Sequence, residues 1–236
     1  TSIADITGFD KNNIIKVKLS YPENQSTISL KYLDKIYDLE ISDWKLYNNW
    51  ILVSDKLQIW SKTWIVEITS WSRIPAWDTT KKYNDNKFRW IITLYIKSWK
   101  LVVVNELSIN DYMKWIAEIS NDALTEKAKT ILVSARSYAR WYISKDNRKF
   151  PWEYYDGSDD PNVFQKYLWY WMEQRNTNIV KLVESTNDEV ITYNGKLIKP
   201  WYFNQSNWKT LSFYDYCLKN NPGKTDFCKS SQTTNY

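Results

Sequence analysis

The sequence predicts an α+β fold, in which a β-rich N-terminal part (residues 1–86) precedes a C-terminal part (residues 87–236) built on one long central helix. Two observations carry this prediction. The first half contains short runs in which apolar and polar residues alternate, a pattern typical of half-buried antiparallel strands. Farther along, apolar residues recur on one face at helical spacing: Leu124, Ala128, Ile131, Leu132, Ala135 and Ala139.

Strands dominate the N-terminal part. The alternating runs predict strands at residues 14–19, 27–30, 37–41 and 64–68. The polar stretch 72–86, which contains Pro75, is the best candidate for the boundary between the two parts, because proline and clustered polar residues mark connections. No combination of side chains in this part indicates catalytic chemistry.

The C-terminal part begins with two longer strands and continues into helices. The strands are predicted at residues 88–97 and 100–105, and a polar turn at residues 108–111 leads into a short helix. The long helix is predicted over residues 125–144, and Asp122 and Thr125 are both candidates for its N-cap.

Three further elements are predicted after the long helix. Pro161 can open a helix that runs toward Arg175, with Asp160 as its cap. A short helix is predicted at residues 179–185. Residues 190–198 predict a β-hairpin, since Asn194-Gly195 is a strong turn signal.

The net charge favours an anionic partner. The chain carries a formal charge of +5 and has an isoelectric point of about 8.9. Its charges are scattered and no segment resembles a nucleic-acid-binding module, so an anionic polymer other than nucleic acid fits better. An ordinary soluble surface without an anionic partner is the alternative, and composition alone does not decide between the two.

The sequence contains no histidine. This excludes Ser-His-Asp and Cys-His nucleophiles, His-ligated zinc and acid–base catalysis by imidazole. An enzymatic site in this chain would therefore use carboxylates, lysines, tyrosines or hydroxyls. The two cysteines, Cys217 and Cys228, either form a disulfide outside the cytosol or are two unrelated thiols.

Tryptophan and glycine occur in inverted proportions. The chain has 15 tryptophans and 4 glycines, whereas average glycine usage of about 7% would give roughly 16 glycines. Trp44, Trp50 and Trp99 each follow a polar residue between strand-like runs, where glycine would make a hairpin turn. We infer that most of these codons are UGA, read as glycine in the source bacterium and translated here as tryptophan. A tryptophan-rich carbohydrate binder is the alternative, but sugar stacking does not account for the missing turn glycines.

A series of motifs around the long helix resembles one known family. The motifs are Val104-Asn105-Glu106-Leu107, Asp111-Tyr112-Met113, the single Glu118 and Ala135-Arg136-Ser137-Tyr138-Ala139, with Arg136 18 residues after Glu118. They resemble the stage II sporulation protein D (SpoIID) family, whose members are secreted or membrane-anchored proteins that cut, or help to cut, peptidoglycan. The resemblance continues through Asn194-Gly195 and residues 202–210, and it fades after about Phe213.

The resemblance implies that Glu118 is the single catalytic acid of a lytic transglycosylase. Such an enzyme needs one carboxyl group, which protonates the glycosidic oxygen and then acts as a base while the muramyl 6-hydroxyl closes onto C1. Water is not consumed, so the second carboxylate of ordinary glycosidases is dispensable. From the residues alone, a helix cap or an ion pair with Lys129 is the favoured interpretation of Glu118.

The resemblance also implies which residues bind the glycan: Lys129, Arg136, Gln165, Tyr167, Tyr202, Ser206 and Thr210. Lys129 and Arg136 lie on nearly one face of the long helix. A salt bridge between helices is the alternative for these two, and the closing of turns is the alternative for the polar residues. Tyr138 is predicted to lie in the core.

No metal ion and no cofactor are expected. Some members of the family hold zinc through His and Cys just before a Gln-x-Tyr segment. Val163 and Phe164 occupy the corresponding positions in this sequence, and neither side chain binds zinc.

The resemblance adds to the glycine argument. Tryptophan stands at four positions where the family has glycine: Trp90, Trp115, Trp169 and Trp208. These positions are independent of the hairpin turns, so they support the same inference about the codons.

The expected location is extracytoplasmic, with peptidoglycan glycan strands as the substrate. The chain begins at Thr1 without a signal peptide or an apolar run of membrane length, so we expect that an export signal has been removed or that the chain is a fragment. We also expect the C-terminal end to be incomplete, because the family's Gly- and His-rich final segment is absent. Two competing hypotheses are a non-catalytic wall-binding module that enhances a partner cell-wall amidase, and an unrelated β-rich adhesin.

Overall fold

A nine-stranded β-sheet runs through the part of the chain that the structure describes. The structure is a computed structural model, and it describes residues 13–20, 26–75, 78–202, 212–226 and 228–229. The strands of the sheet are β1 (Ile14–Lys18), β2 (Thr27–Tyr32), β3 (Lys35–Ser42), β4 (Lys45–Asn48), β5 (Ile51–Ser54), β6 (Lys56–Ile68), β7 (Lys87–Lys97), β8 (Lys100–Ser108) and β9 (Gly157–Ser158). Their order is β5-β4-β3-β2-β6-β7-β8-β1-β9, and only β1 and β9 pair in parallel.

Helices and a separate hairpin complete the fold and confirm the predicted α+β class. The helices are α1 (Ile109–Trp115), α2 (Thr125–Ile143), α3 (Trp171–Arg175), α4 (Thr177–Ser185) and α5 (Phe213–Asn220), with a 3-10 turn at Lys145–Asn147. The hairpin is formed by β10 (Thr192–Tyr193) and β11 (Lys196–Leu197).

Burial follows the alternation that predicted the strands. In β1, Ile15 and Val17 are buried while the lysines between and after them stay partly exposed. The central strands β7 and β8 are instead buried on both faces over several successive residues. Continuous burial of this kind requires cover on both sides of the sheet. The core therefore extends over both faces of β7 and β8.

The sheet crosses the predicted boundary at residue 86. Strand β6 pairs with β7, and β1 pairs with β8, so strands from both predicted parts belong to one sheet. The division of the chain into two parts stays a prediction.

Helices α1 and α2 pack near the β8–β1 side of the sheet. Helix α1 follows β8 directly, because the Ser108 hydroxyl caps it by accepting the N–H of Asp111 at 3.1 Å. Helix α2 contacts α1, α4 and β1 through the predicted apolar face. The predicted N-caps of α2 are wrong, since Leu124 holds this position without a side-chain bond. The Asp122 carboxylate accepts the Ser120 hydroxyl instead.

The predicted helix from Pro161 to Arg175 is wrong over most of its length, and only α3 is helical. Residues 166–168 run extended because they pair with the end of α1. Ala117 N donates to Lys166 O at 2.8 Å, and Leu168 N donates to Trp115 O at 2.7 Å. Asp160 closes a single turn, in which its carbonyl accepts from Phe164 N. Helix α4 and the β10–β11 hairpin confirm the two elements predicted after it.

Four hairpins share the same two-residue turn geometry. The φ angles are 47° and 64° at Asp43-Trp44, 48° and 68° at Asn49-Trp50, 50° and 64° at Ser98-Trp99, and 49° and 74° at Asn194-Gly195. Two consecutive positive φ angles define the type I′ turn, which favours Asn-Gly and Asp-Gly. Three tryptophans therefore occupy the position that Gly195 holds in the fourth turn. The hairpin turns predicted at these three positions are confirmed, and the codon inference stays a prediction.

Cys217 and Cys228 form a disulfide that joins α5 to the segment after it, with the two Cα atoms 5.6 Å apart. The structure thus decides between the two alternatives that the sequence left open. Within the described residues, no helix combines the length and the apolar character needed to span a membrane.

Candidate functional site

Glu118 lies in the loop that connects α1 to α2, and its position is fixed by the extended segment 166–168. Ile116 forms an isolated antiparallel bridge with Tyr167. The backbone N–H of Lys166 then donates to Oε1 of Glu118 at 2.9 Å. One oxygen of the Glu118 carboxyl group is therefore bound by a backbone N–H of the segment 166–168. That segment is itself fixed by its hydrogen bonds to the end of α1.

Two cavities meet at Glu118, and both have Ala117, Glu118 and Lys166 in their walls. The first, which we call the aromatic cavity, has a volume of about 580 Å³. Its other lining residues are Tyr138, Tyr142, Lys149, Pro161, Phe164, Gln165, Lys199, Pro200, Trp201 and Tyr202. The second, which we call the amide cavity, has a volume of about 560 Å³. It is completed by Ile119, Ser120, Asn121, Asp122, Leu168, Met172, Arg175 and Asn176.

A chain of hydrogen bonds positions Tyr202 beside Glu118. The buried Tyr112 hydroxyl donates to Oε1 of Gln165 at 2.9 Å, and Nε2 of Gln165 donates to the Tyr202 hydroxyl at 2.6 Å and to Ala135 O at 3.1 Å. Burial raises the pKa of Tyr202, and the negative charge of Glu118 raises it further. Tyr202 therefore remains protonated near neutral pH and has a hydroxyl hydrogen to donate to Glu118 or to a ligand.

Tyr138 belongs to the wall of the aromatic cavity as well as to the core that was predicted for it. Its ring is half-buried and contacts the rings of Tyr142, Phe164 and Tyr202, with centroid distances of 4.9, 5.4 and 6.3 Å. Burial raises the pKa of its hydroxyl. The ring is thus a fixed, neutral surface of the kind on which a sugar can stack.

The comparison with known protein families covers this same region. Residues 97–193 match the SpoIID family model, described as stage II sporulation protein. The match confirms the resemblance seen in the motifs and points to a cell-wall-related function. The SpoIID-like segment contains Glu118 and most of the lining of both cavities, while Lys199, Pro200, Trp201 and Tyr202 follow it.

A relative extends the similarity beyond the SpoIID-like segment. An uncharacterized protein of Brachyspira hyodysenteriae is 27% identical to this chain over 204 residues. The aligned region is 84% of this chain and 53% of that protein, so the chain spans about half the length of the relative.

Of the residues predicted to bind glycan, Gln165 and Tyr202 lie in the aromatic cavity with Glu118. Lys129 lines neither cavity and forms an ion pair with Glu126 at 3.2 Å. Tyr167 is fully buried, and its hydroxyl donates to Oδ1 of Asn105 at 2.6 Å. Ser206 and Thr210 lie outside the described residues.

Arg136 is placed away from the cleft. Its side chain is 0% exposed, and its guanidinium donates to the carbonyls of Val183 and Glu189, each at 3.2 Å, and to the Thr186 hydroxyl at 3.4 Å. These acceptors stand at and just after the C-terminal end of α4, where a positive charge is favourable. In this structure Arg136 therefore joins α2 to the end of α4.

The polar residues of the Val104-Asn105-Glu106-Leu107 motif are also engaged in the fold. Nδ2 of Asn105 donates to Arg89 O at 2.9 Å and to Ile91 O at 3.1 Å, which ties β8 to β7. Oε1 of the buried Glu106 accepts hydrogen bonds from Thr93, from Tyr154 at 2.7 Å and from Gln58 at 3.3 Å. Asn105 also accepts the Tyr167 hydroxyl, and Tyr167 bridges Ile116, so this motif is connected through Tyr167 to the segment that precedes Glu118.

Two lysines of the aromatic cavity, Lys149 and Lys199, were missed by the sequence analysis. Lys149 lies in an irregular stretch within the SpoIID-like segment, and Lys199 lies just after that segment. Neither residue belongs to one of the motifs, so no sequence signal identifies them. Val163 and Phe164 also border this region, and Phe164 packs against Tyr142 with a ring distance of 5.8 Å. Among the described residues, no three His, Cys, Asp or Glu side chains are grouped to hold a metal ion.

Replacing Arg136 by lysine is expected to lower the free energy of unfolding by about 1–3 kcal/mol. Lysine keeps the positive charge, but its single ammonium group cannot donate to the same carbonyls as the planar guanidinium does. Binding of glycan per folded molecule should remain unchanged. Urea unfolding combined with a binding titration measures both quantities. Weaker glycan binding at unchanged stability would instead support the ligand-binding role implied by the family.

Proposed function

We propose that the protein acts on peptidoglycan and that Glu118 is the acid and base of a lytic transglycosylase site. One observation supports this most strongly. Glu118 stands where the two cavities meet, and it is the only carboxylate among the described lining residues of the aromatic cavity. A polymer bound in both cavities would therefore have sugars on both sides of the Glu118 carboxyl group.

The reaction needs one proton-transfer group. In its protonated form Glu118 donates the proton to the oxygen of the glycosidic bond, and the bond to C1 of the muramyl sugar breaks. The resulting carboxylate then takes the proton of the muramyl 6-hydroxyl as that oxygen bonds to C1. The products are a 1,6-anhydro-muramyl end and a new hydroxyl on the leaving sugar. Glu118 returns to its starting form, and no water is consumed.

The surroundings of Glu118 fit this role. Each cavity lies within the range of about 300–1,000 Å³ that is usual for ligand sites. The Lys166 N–H fixes the orientation of the carboxyl group, and the neutral Tyr202 hydroxyl can donate to a sugar oxygen or to the carboxylate. The disulfide between Cys217 and Cys228 suits the extracytoplasmic location that a peptidoglycan substrate requires.

A non-catalytic wall-binding module that enhances a partner amidase is the second candidate. The observation in its favour is that Oε1 of Glu118 already accepts the backbone N–H of Lys166, which is a common arrangement for a structural carboxylate. In that case the two cavities would bind glycan without cleaving it.

Digestion of purified peptidoglycan separates the two candidates. The protein is incubated with peptidoglycan and with isolated glycan strands, and the soluble products are analysed by mass spectrometry. The lytic transglycosylase predicts sugars that end in 1,6-anhydro-muramic acid, which are lighter by one water than hydrolysis products. Binding to the strands without any anhydro product would leave the wall-binding module as the function.

A further inference from the structure

Two lysines enter the aromatic cavity from segments that are distant in the sequence. Lys149 follows the 3-10 turn after α2, and Lys199 follows β11. Their ammonium groups approach the same ring, with Nζ of Lys149 5.7 Å and Nζ of Lys199 5.8 Å from the centroid of Tyr142. The fold therefore concentrates two positive charges on one side of this cavity.

Neither ammonium group has a carboxylate partner within the part of the chain that the structure describes. Nζ of Lys149 donates to the carbonyl of Val163, and Lys199 forms no ion pair with any of these residues. The residues 203–211 contain no Asp or Glu, so the sequence there offers no counter-charge either. Glu118, the acid of this cavity, is held by Lys166 N–H and interacts with Tyr202.

The positive charges of Lys149 and Lys199 repel each other. Burial lowers the pKa of Lys149, and the charge of Lys199 lowers it further. Like charges brought together beside aromatic rings, without a carboxylate partner among the described residues, attract an anionic group of a ligand. The rings of Tyr142 and Trp201 beside Lys199 would at the same time contact the apolar face of a sugar.

We propose that Lys149 and Lys199 form a carboxylate-binding subsite, so that the cleft prefers a glycan whose sugars carry carboxylates over a neutral glycan. This inference rests on the proposed function and assigns a specificity to the same cleft. In peptidoglycan the carboxylate can come from two sources. One is the lactyl ether of the muramyl sugar when no peptide is attached, and the other is the acidic residues of an attached peptide.

The test compares the binding of three probes to the Glu118→Gln protein, so that the strands stay intact during titration. The probes are peptide-free glycan strands with free lactyl carboxylates, the same strands with these groups converted to neutral methylamides, and strands that keep their peptides. The free carboxylate strands are expected to bind about tenfold more tightly than the methylamides, since two partly exposed charge pairs contribute about 0.5–1 kcal/mol each. The preference should weaken as salt is raised from about 0.05 to 0.5 M.

Charge variants link this preference to the two lysines. In the background of Glu118→Gln, Lys149→Gln with Lys199→Gln should abolish the preference, whereas Lys149→Arg with Lys199→Arg should retain it. Lys127→Gln with Lys145→Gln removes the same charge from exposed positions outside the cleft and should leave the preference unchanged. Lys199→Gln alone leaves the hydrogen bond between Lys149 and Val163 intact. This single variant should reduce the preference for free carboxylate strands by about threefold.

Equal affinity for all three probes, or a preference that survives in the double glutamine variant, would overturn the subsite. Tighter binding of the peptide-free strands assigns the carboxylate to the lactyl group, and tighter binding of the peptide-bearing strands assigns it to the peptide. The cleavage assay remains separate. Cleavage without a carboxylate preference removes only the subsite, and a lysine-dependent preference without cleavage by the unsubstituted protein removes only the enzymatic proposal.

Discussion

Replacing Glu118 by glutamine is expected to lower the release of 1,6-anhydro-muramyl ends by about 100- to 10,000-fold, the usual contribution of a general acid–base group. Glutamine has nearly the same shape, and its side-chain oxygen can still accept the Lys166 N–H that holds Oε1. It cannot donate a proton to the glycosidic oxygen or take one from the 6-hydroxyl. Affinity for glycan strands should therefore change by less than about threefold, which is less than 1 kcal/mol.

Glu126→Gln is the matched control for this variant. Glu126 lies in the first turn of α2, its side chain is 85% exposed, and its only ion pair among the described residues is with Lys129. The same loss of one carboxylate should leave the rate of anhydro-sugar release unchanged. Comparable rates for Glu118→Gln and the unsubstituted protein would show that another group carries the proton, and the catalytic role of Glu118 would then be abandoned.

Much of the fold was predictable because it depends on short-range patterns. The alternation around Ile15 and Val17 predicts β1, the apolar face of α2 predicts its helix, and Asn194-Gly195 predicts a hairpin. Residues 166–168 were not predictable in this way. Their conformation depends on pairing with Trp115 and Ala117, about fifty residues earlier, and a local pattern carries no information on such a partner.

The site was predictable only where a motif coincided with the cleft. Glu118 and Gln165 are in a matched motif and in a cavity wall, so the resemblance located them. Arg136 also belongs to a matched motif. The direction of its side chain, however, depends on where α4 ends, and the sequence of α2 does not specify that position. Lys149 and Lys199 come together because two irregular segments meet at Tyr142, and only the folded chain brings them close.

Substituting glycine for Trp44, Trp50 and Trp99 together is expected to raise the free energy of unfolding by about 3 kcal/mol. A side chain in the left-handed region costs about 1–2 kcal/mol per residue, and glycine adopts the region freely. The three positions have φ angles of 64°, 68° and 64°, close to the 74° of Gly195 in the equivalent turn. The ring contact between Trp44 and Trp99, with centroids 3.7 Å apart, is lost and offsets about 1 kcal/mol of the gain.

Thermal and urea unfolding measure this change, and 3 kcal/mol corresponds to a rise in Tm of roughly 6–12 °C for a chain of this size. Trp152→Gly is the matched control, because Trp152 is 93% exposed and has no positive φ. Trp152→Gly removes an indole ring that is about as exposed as that of Trp50, but it relieves no backbone strain. The free energy of unfolding of this variant should therefore stay constant or fall. If the gain appears only at the three turns, the backbone there is built for glycine, and we predict UGA codons at most tryptophan positions of the gene. UGG codons at positions 44, 50 and 99, or an unchanged Tm in the triple variant, would contradict the inference that these tryptophans stand in for glycine.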